Sequence, residues 1–316
     1  MTHRTLGLLD PSLNSKNTGD QIIAESVHME LSELLPNVEI VRLPTQTVLS
    51  RSERAAARSI TRFVVGGTNI LNGNIPRYLQ WKLDPISYWH YRQKVSTMGV
   101  GWWQYQPPSN RVSRTIWRQV IGAGANSVRD TYTADRLARL GIPSTNTSCP
   151  TVWRLPSLHT VAEARPSSVV MTITDYNRNV ERDLRLVRGL RDRYRRVLAW
   201  PQGSRDRDYL RGLDRSIEFL GPTVRDFDAA LDDGLDYVGT RLHAGVRALQ
   251  RGARSAIVAI DNRATEIASD IGLPVISKSL CGDDWERVDD RRPLTLNIPH
   301  AAIDRWKRGL VEWLEE

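Results

Sequence analysis

The sequence is poor in cysteine and lacks long apolar runs. Cys149 and Cys281 are the only two cysteines among its 316 residues, and they stand far apart without a pairing pattern. This spacing argues against a disulfide framework and gives no sign of a zinc site, so we expect two buried or inert thiols. No apolar stretch approaches the ~20 residues that cross a bilayer, and the first residues do not have the pattern of a signal peptide. We therefore expect a cytoplasmic protein.

Positive charge is the main compositional bias. The formal net charge is +8 and the isoelectric point is about 9.8, which suits an anionic partner such as nucleic acid, anionic lipid or a polyanionic substrate. Only five of the 44 basic residues are lysine, so a single arginine is weak evidence for an anion site in this chain. The basic cluster at residues 182–196 also contains acids, and Leu184, Val187 and Leu190 recur in it at helical spacing. We expect that cluster to be the solvated face of a helix.

Short apolar runs alternate with helix-like segments, and this rhythm predicts parallel sheets covered by helices. Strands are predicted at residues 5–9, 38–43, 63–65, 95–100 and 126–128, and then at 169–173, 196–200, 217–220, 236–238, 256–260 and 275–276. Helices are predicted at residues 20–35, 76–91, 109–121 and 131–140.

The strand rhythm restarts after a polar stretch near residues 155–167. Because the length suits two domains of ~150 residues, we predict domains at 1–158 and 165–316. The segment 303–314 has helical periodicity, and we expect this C-terminal helix to pack back across the domains.

The most informative stretch is Gly239-Thr240-Arg241-Leu242-His243, where a predicted strand ends and a helical run begins. Backbone N–H groups and the positive end of the helix dipole attract anions at such a junction. The guanidinium of Arg241 adds a two-pronged donor for phosphate or carboxylate, and His243 adds a proton carrier with an ordinary pKa of ~6.5. Taken alone, the same residues also suit a plain helix N-terminus.

Ligands of doubly wound sheets bind beyond the carboxyl ends of the strands, so other candidates should follow strands as well. Asn17, Gly19 and Asp20 follow the first strand, where Gly19 permits close backbone approach and Asp20 can cap the helix. A simple capping turn is the alternative.

A glycine loop with Gly67, Thr68 and Asn69 follows the strand at 63–65, and it can cradle an oxyanion or sugar hydroxyls. Arg129 follows the strand at 126–128, next to Asp130, which can cap the following helix. An Arg–Asp surface pair explains these last two residues equally well.

Two later strand ends also carry polar or aromatic groups. Trp200 and Gln202 offer a ring face and an amide for a sugar or a nucleobase, although a packed turn explains them equally well. Asp261, Asn262 and Glu266 follow the next strand after the His243 helix, where Asp261 can serve simply as a cap.

Together these motifs resemble the polysaccharide pyruvyltransferase family. The resemblance spans residues 5–276 in order, and its matching residues are Asn17-x-Gly19-Asp20, Gly66-Gly67, Ser127-Val128-Arg129-Asp130 with Thr133, Thr240-Arg241-Leu242-His243 with Gly245, the segment 261–266, and Gly272-Leu273-Pro274. It implies an α/β fold with two Rossmann-like domains facing a cleft, of GT-B type, with the C-terminal helix packing back. It also implies transfer of pyruvate from phosphoenolpyruvate to a sugar diol, giving a cyclic ketal.

The resemblance and the chemistry assign expected roles. Phosphoenolpyruvate carries a carboxylate and a phosphate, so Arg241 and Arg129 are expected to clamp it. Gly239, Thr240 and Leu242 complete the donor side in the C-terminal domain, with the acceptor side in the N-terminal domain. His243 is the expected acid or base, and Asp20 the group that orients an acceptor hydroxyl. The acceptor or cleft-lining set is Asn17, Gly19, Gly67, Thr68, Asn69, Trp200, Gln202, Asp261, Asn262 and Glu266.

No metal site is predicted, and no cofactor is expected besides phosphoenolpyruvate as co-substrate. The second partner is a saccharide acceptor of a cell-surface or exopolysaccharide precursor. A lipid-linked acceptor would bring the protein to the inner membrane surface, where its basic charge would help. Nucleic acid is not expected, because aromatic residues are not interleaved with a basic stripe. The alternatives are a nucleotide-sugar-dependent glycosyltransferase of GT-B type and a non-catalytic protein that binds acidic ligands. The acceptor sugar and the oligomeric state stay open.

Overall fold

The structure, a computed structural model, describes residues 4–75, 77–122, 124–161 and 163–316. The elements up to residue 153 are β1 (Arg4–Asp10), α1 (Gly19–Leu34), β2 (Val38–Pro44), α2 (Arg51–Arg58), β3 (Phe63–Gly66), α3 (Pro85–Tyr91), β4 (Val95–Met98), α4 (Arg111–Val120), β5 (Ser127–Val128), α5 (Thr131–Ala138), β6 (Thr145–Asn146) and a 3₁₀ turn at Pro150–Val152.

The remaining elements follow the same alternation. They are β7 (Leu158–His159), β8 (Ser168–Thr172), α6 (Val180–Arg191), β9 (Arg196–Ala199), α7 (Asp206–Leu213), β10 (Glu218–Phe219), α8 (Val224–Asp232), β11 (Asp236–Gly239), α9 (Leu242–Gln250), β12 (Ser255–Val258), α10 (Asn262–Ile271), β13 (Val275–Ile276), α11 (Gly282–Asp289), β14 (Leu294–Thr295) and α12 (His300–Glu315).

The chain divides into two compact units. The first comprises residues 1–15, 23–153 and 299–316, and the second comprises residues 16–22 and 154–298. The terminal helix α12 therefore belongs to the first unit, whereas the predicted boundary placed it with residues 165–316. Within that unit the Trp306 indole N–H donates to the carbonyl oxygens of Thr97 and Ala125, at 3.1 and 2.9 Å.

The first unit contains a parallel sheet with the order β2-β1-β3-β4. An isolated parallel bridge between Val100 and Val128 follows β4, and β5 pairs with β6. The strand order reverses between β1 and β3, so this sheet has its topological switch point there. The loop after β3 contains Gly67, Thr68 and Asn69, which places these residues at that switch point.

The second unit contains a six-stranded parallel sheet with the order β10-β9-β8-β11-β12-β13. Numbered within the unit, this order is 3-2-1-4-5-6, as in a Rossmann fold. The strand order reverses between β8 and β11, whose residues pair in register from Asp236↔Val169 to Gly239↔Thr172. The stretch that begins at Gly239 therefore leaves the sheet at its switch point.

The predicted strands are all present, with bounds that shift by one or two residues. The helix predicted at 76–91 is wrong over its first part, because Pro85 and its cap Asp84 start α3 there; Pro76 lies outside the described residues. The patterns also do not predict α2, β6, β7 or β14, since such short elements carry little periodicity.

Two expectations about exposure need correction. Arg182 is buried against Asp183, 2.6 Å away, so the basic cluster on α6 is not entirely a solvated face. Cys149 is buried as expected, but Cys281 is exposed at the start of α11. Among the described residues, no helix has both the length and the apolar character needed to cross a membrane.

Candidate functional site

The loops that follow β8 and β11 are bonded to each other at the switch point. The Thr240 N–H donates to the Thr172 carbonyl at 2.8 Å, and the Thr240 hydroxyl accepts from the Thr174 N–H at 3.0 Å. A Cβ at Gly239 would lie 2.4 Å from the Thr172 hydroxyl, so only glycine fits there. Gly239 and Thr240 therefore act here by setting the course of the backbone.

Arg241 follows directly and is almost completely buried, with 5% of its surface exposed. Its Nη2 donates to both carboxylate oxygens of Asp206, at 2.8 and 2.7 Å. Its Nε is buried and has no hydrogen-bond partner among the described residues. Nη2 of the guanidinium is thus anchored on Asp206, while Nε makes no hydrogen bond to a described residue.

Asp206 holds this arrangement together, and it was not among the residues predicted from the sequence. The carboxylate is fully buried and also accepts hydrogen bonds from the backbone N–H groups of Asp175 and Gly203, at 2.9 and 2.8 Å. It therefore connects the segments that follow β8, β9 and β11. The signal available in the sequence was an acid at the start of a helix that follows a predicted strand, the same pattern that singled out Asp20.

Tyr176 lies between two arginines at this edge of the sheet. The guanidinium carbons of Arg241 and Arg263 are 5.0 and 5.8 Å from the centroid of its ring. Arg263 also donates from Nη2 to the Tyr176 hydroxyl at 2.5 Å. The sequence analysis did not single out Tyr176, although it follows the predicted strand at 169–173.

Asp261 caps α10 and is also an ion-pair partner. It accepts from the Arg263 N–H at 3.1 Å, and its carboxylate lies 2.5 Å from Arg263 Nη2. Burial lowers the pKa of Arg263, but the charge of Asp261 and the hydrogen bonds outweigh it and hold that pKa well above its ordinary value. Asn262 is buried and Glu266 is half-buried on the same helix. Among the described residues, no group of three or more His, Cys, Asp or Glu side chains could hold a metal ion.

His243 lies in the first turn of α9, next to Leu242, and only 7% of its surface is exposed. Arg241 occupies the N-cap position of this helix without a side-chain capping bond. A Cβ at Gly245 would lie 2.3 Å from the Ile257 side chain, so this glycine lets α9 pack closely on β12. The imidazole is thus held in a largely dehydrated position at the positive end of a helix.

Asn17 and Gln202 meet although they are 185 residues apart in sequence. Gln202 Nε2 donates to Asn17 Oδ1 at 2.8 Å, and the Thr18 N–H donates to the Gln202 carbonyl at 2.9 Å. A Cβ at Gly19 would lie 2.1 Å from Gln202 Nε2, so there is no room for a side chain at this position. What approaches is a side chain of the same unit.

Asp20 does not cap α1, because the helix begins at Gly19 and Asp20 lies inside its first turn. Its Oδ1 accepts from Asn17 Nδ2 at 3.1 Å. The proposed role for Trp200 is not supported either. The indole is fully buried and stacks on Phe227 with ring centroids 4.2 Å apart, so it is a core residue with no face for a sugar.

In the first unit, the loop after β3 meets the segment after β5. Arg129 is fully buried, and its Nη2 donates to Asn69 Oδ1 at 3.2 Å. Its Nε donates to Asp130 at 3.3 Å, and its Nη1 has no partner among the described residues. Asp130 caps α5 by accepting from the Thr133 N–H at 2.7 Å, as predicted, but the Arg–Asp pair is buried and not on the surface.

The conformation of the glycine loop before Asn69 depends on Gly67. Gly67 has a φ of +61°, and a Cβ there would lie 2.3 Å from the Ile23 side chain. The carbonyl of Thr68 accepts from the Gly101 N–H at 2.9 Å. Glycine is therefore required at position 67 both by conformation and by space.

Comparisons with known proteins agree with this architecture. A family model described as polysaccharide pyruvyl transferase matches residues 17–262. The solved structure of Methanocaldococcus jannaschii UDP-GlcNAc 2-epimerase, in complex with UDP-GlcNAc and UDP, is similar, with a TM-score of 0.58 and 11% identity over 98% of this chain and 99% of that chain. An α,α-trehalose-phosphate synthase (UDP-forming) from Burkholderia vietnamiensis gives a TM-score of 0.46 at 11% identity, over 100% of this chain and 94% of that one. No curated protein sequence matches significantly. The likeness to the epimerase structure shows a fold of GT-B type, with two Rossmann-like units.

Proposed function

The chain belongs to the polysaccharide pyruvyl transferase family, and we propose that it moves the pyruvyl group of phosphoenolpyruvate onto a diol of a sugar in a cell-surface or exopolysaccharide precursor. The product is a cyclic ketal, and phosphate is released. Family membership supports a transferase that acts on a saccharide. The phosphoenolpyruvate donor and the cyclic ketal product are our proposal.

The observation that carries the proposal is the incomplete hydrogen bonding of the buried Arg241 guanidinium. Its Nη2 is anchored on Asp206 while its buried Nε has no acceptor among the described residues. A buried donor without a partner costs about 1–3 kcal/mol, so a ligand oxygen that accepts from it gains that much. Carboxylate and phosphate oxygens are the strongest such acceptors, and phosphoenolpyruvate offers both.

Anion binding at Arg241 would depend more on hydrogen-bond geometry than on net charge. Because Asp206 already neutralises Arg241, that pair attracts an anion only through its directed N–H group. The positive end of α9 adds further attraction beside His243. In the first unit, we propose the buried Nη1 of Arg129 as an anion ligand.

The reaction removes two protons, one from each sugar hydroxyl, and adds two, one to C3 and one to the departing phosphate. One sugar hydroxyl adds to C2 of phosphoenolpyruvate and loses its proton, while C3 gains a proton and becomes a methyl group. Phosphate then leaves C2, and the second hydroxyl adds to C2 and loses its proton. We assign His243 to proton transfer near the phosphate, since it is held in a largely dehydrated position. Asp20 is proposed to orient an acceptor hydroxyl.

The test measures thermal stabilisation, because a ligand that binds only the folded state raises the melting temperature. We expect phosphoenolpyruvate to stabilise the wild type and Arg241→Lys to lose this effect. Lysine keeps a cation for Asp206 but has no Nε–H group, so the variant should fold. A stabilisation that persists in Arg241→Lys would refute the role of Nε.

Two further measurements distinguish the donor and the chemistry. Stabilisation by uridine or guanosine diphosphate with none by phosphoenolpyruvate would refute the proposed donor and favour a glycosyltransferase. His243→Ala should keep the stabilisation by phosphoenolpyruvate and lose turnover. Unchanged turnover in this variant would remove His243 from the mechanism.

A further inference from the structure

The formal positive charge of the chain is concentrated in residues 40–129, although the last of them, Arg129, is buried against Asp130. This segment contains 13 of the 44 basic residues but only two of the 36 acidic ones, so its formal charge is +11, whereas the rest of the chain carries −3. The basic residues are spread evenly along the chain, and the asymmetry arises because acids are missing from this segment. All of it lies in the first unit.

The same segment holds most of the exposed apolar surface. Among the described residues, nine large hydrophobic side chains are exposed, and six of them fall within it: Val48, Leu79, Ile86, Trp89, Tyr105 and Val112. Single exposed apolar side chains are ordinary, but here most of them fall in the same acid-poor segment as the excess of cationic residues.

Helices α3 and α4 carry several of these groups and are joined at Gln119. The Tyr88 hydroxyl of α3 bonds to the Gln119 side chain of α4, and the Gln93 N–H donates to the Gln119 carbonyl at 2.7 Å. On α3, Ile86 and Trp89 are 60% and 65% exposed and one helical turn apart.

Helix α4 has opposite faces. Ser113, Trp117 and Val120 are buried. Arg111, Arg114 and Arg118 are exposed and recur at spacings of three and four residues, with the exposed Val112 beside them. We call Ile86, Trp89, Arg92, Arg111, Val112 and Arg114 the α3–α4 face.

The two acids of the segment, Asp84 and Glu53, both lie at the start of a helix. Asp84 accepts hydrogen bonds from the backbone N–H groups of Ile86 and Ser87, and Glu53 closes the capping box of α2. Arg92 lies with its guanidinium carbon 4.5 Å from the ring of Trp89. Tryptophan is enriched at membrane–water interfaces, where the indole enters the headgroup region and a neighbouring arginine can meet lipid phosphate.

We propose that the α3–α4 face docks on an anionic membrane surface. Its arginines match the negative charge of the lipid headgroups, and Ile86 and Trp89 supply apolar groups that insert between them. A nucleic acid would make use of the cations and the indole but not of Ile86. Docking would bring the protein to lipid-linked sugars, yet the inference does not depend on the proposed reaction.

The experiment is co-sedimentation of the full chain with vesicles. We expect binding to vesicles of phosphatidylglycerol and phosphatidylcholine, none to phosphatidylcholine alone, and release at high salt. Arg111→Gln and Arg114→Gln should each weaken binding about fivefold. Trp89→Ser should weaken it at least as much. All three side chains are on the surface, so the variants should melt like the wild type.

Two matched controls lie in the second unit. Val180, which is 55% exposed on α6, and Arg225, exposed on α8, are changed to Ser and Gln. These variants should bind vesicles like the wild type. Absence of binding to anionic vesicles, equal binding to phosphatidylcholine, or equal losses in the controls would overturn the proposal. Retention on a short DNA but not on vesicles would also overturn it.

Discussion

Removing the Asp206 carboxylate should destabilise the second unit strongly. Asp206 is fully buried and accepts from Arg241 and from two backbone N–H groups. Asp206→Ala leaves the Arg241 guanidinium buried without a counter-charge, and breaking a buried pair in this way costs about 3–5 kcal/mol. For a unit of this size, that corresponds to a fall of about 6–20 °C in melting temperature.

Calorimetry of the wild type, Asp206→Ala and Asp208→Ala measures this effect. Asp208 lies two residues further along the same helix and is exposed, so its loss should cost less than about 1 kcal/mol. Combining Asp206→Ala with Arg241→Ala removes both charges. The double variant should therefore be less destabilised than the sum of the two single variants, by about 0.5–3 kcal/mol.

The structural argument fails under either of two results. One is a melting temperature for Asp206→Ala that lies within error of that for Asp208→Ala. The other is a double variant whose loss equals the sum of the single losses, since the two side chains would then not interact. Loss of phosphoenolpyruvate binding without any loss of stability would assign Asp206 to the ligand and not to Arg241.

Three other predictions concern the glycine loop, a buried histidine and the thiols. Gly67→Ala should lower the free energy of unfolding in urea by about 2–5 kcal/mol, and Gly234→Ala by only about 1–2 kcal/mol. Both glycines have a positive φ, but a Cβ at Gly234 meets nothing within 4 Å. Equal losses in the two variants would contradict this. Burial lowers the pKa of His159, so the unfolded chain binds the proton more readily and stability should fall as pH drops below ~6.5. His159→Gln should reduce the fall of the urea midpoint between about pH 7 and 5. If the midpoint falls with pH as in the wild type, other groups cause the fall. Iodoacetamide should label Cys281 and leave Cys149 intact in the folded protein, because burial both encloses Cys149 and raises its pKa; early labelling of Cys149 would show local opening.

Local patterns were enough to predict the strands and several of the site residues. Buried parallel strands are short apolar runs bounded by polar turns, and these runs locate both β8 and β11. Asp130 could be predicted as a cap because capping depends only on residues three positions apart. Helices that lack such signals were placed less well, as with the segment before Pro85.

Side-chain partners could not be predicted in the same way. Trp200 follows a strand as a ligand-facing residue would, and its burial and its stacking on Phe227 show that it is part of the core. Asp206 was missed because its importance comes from Arg241, which lies 35 residues further along the chain. A local sequence pattern gives neither the distance nor the relative orientation of such residues.

The residues alone therefore determined the α/β class, the strand ends and the motifs that mark the family, since hydrophobic period and turn chemistry act over a few residues. The strand order decided the rest. It places β8 beside β11 at the switch point, and this neighbourhood brings Arg241, Asp206 and Tyr176 together. Tertiary packing likewise left Trp200 in the core and joined Asn17 to Gln202. Contacts between residues far apart in sequence form only when the sheets assemble, so tertiary structure alone could reveal them.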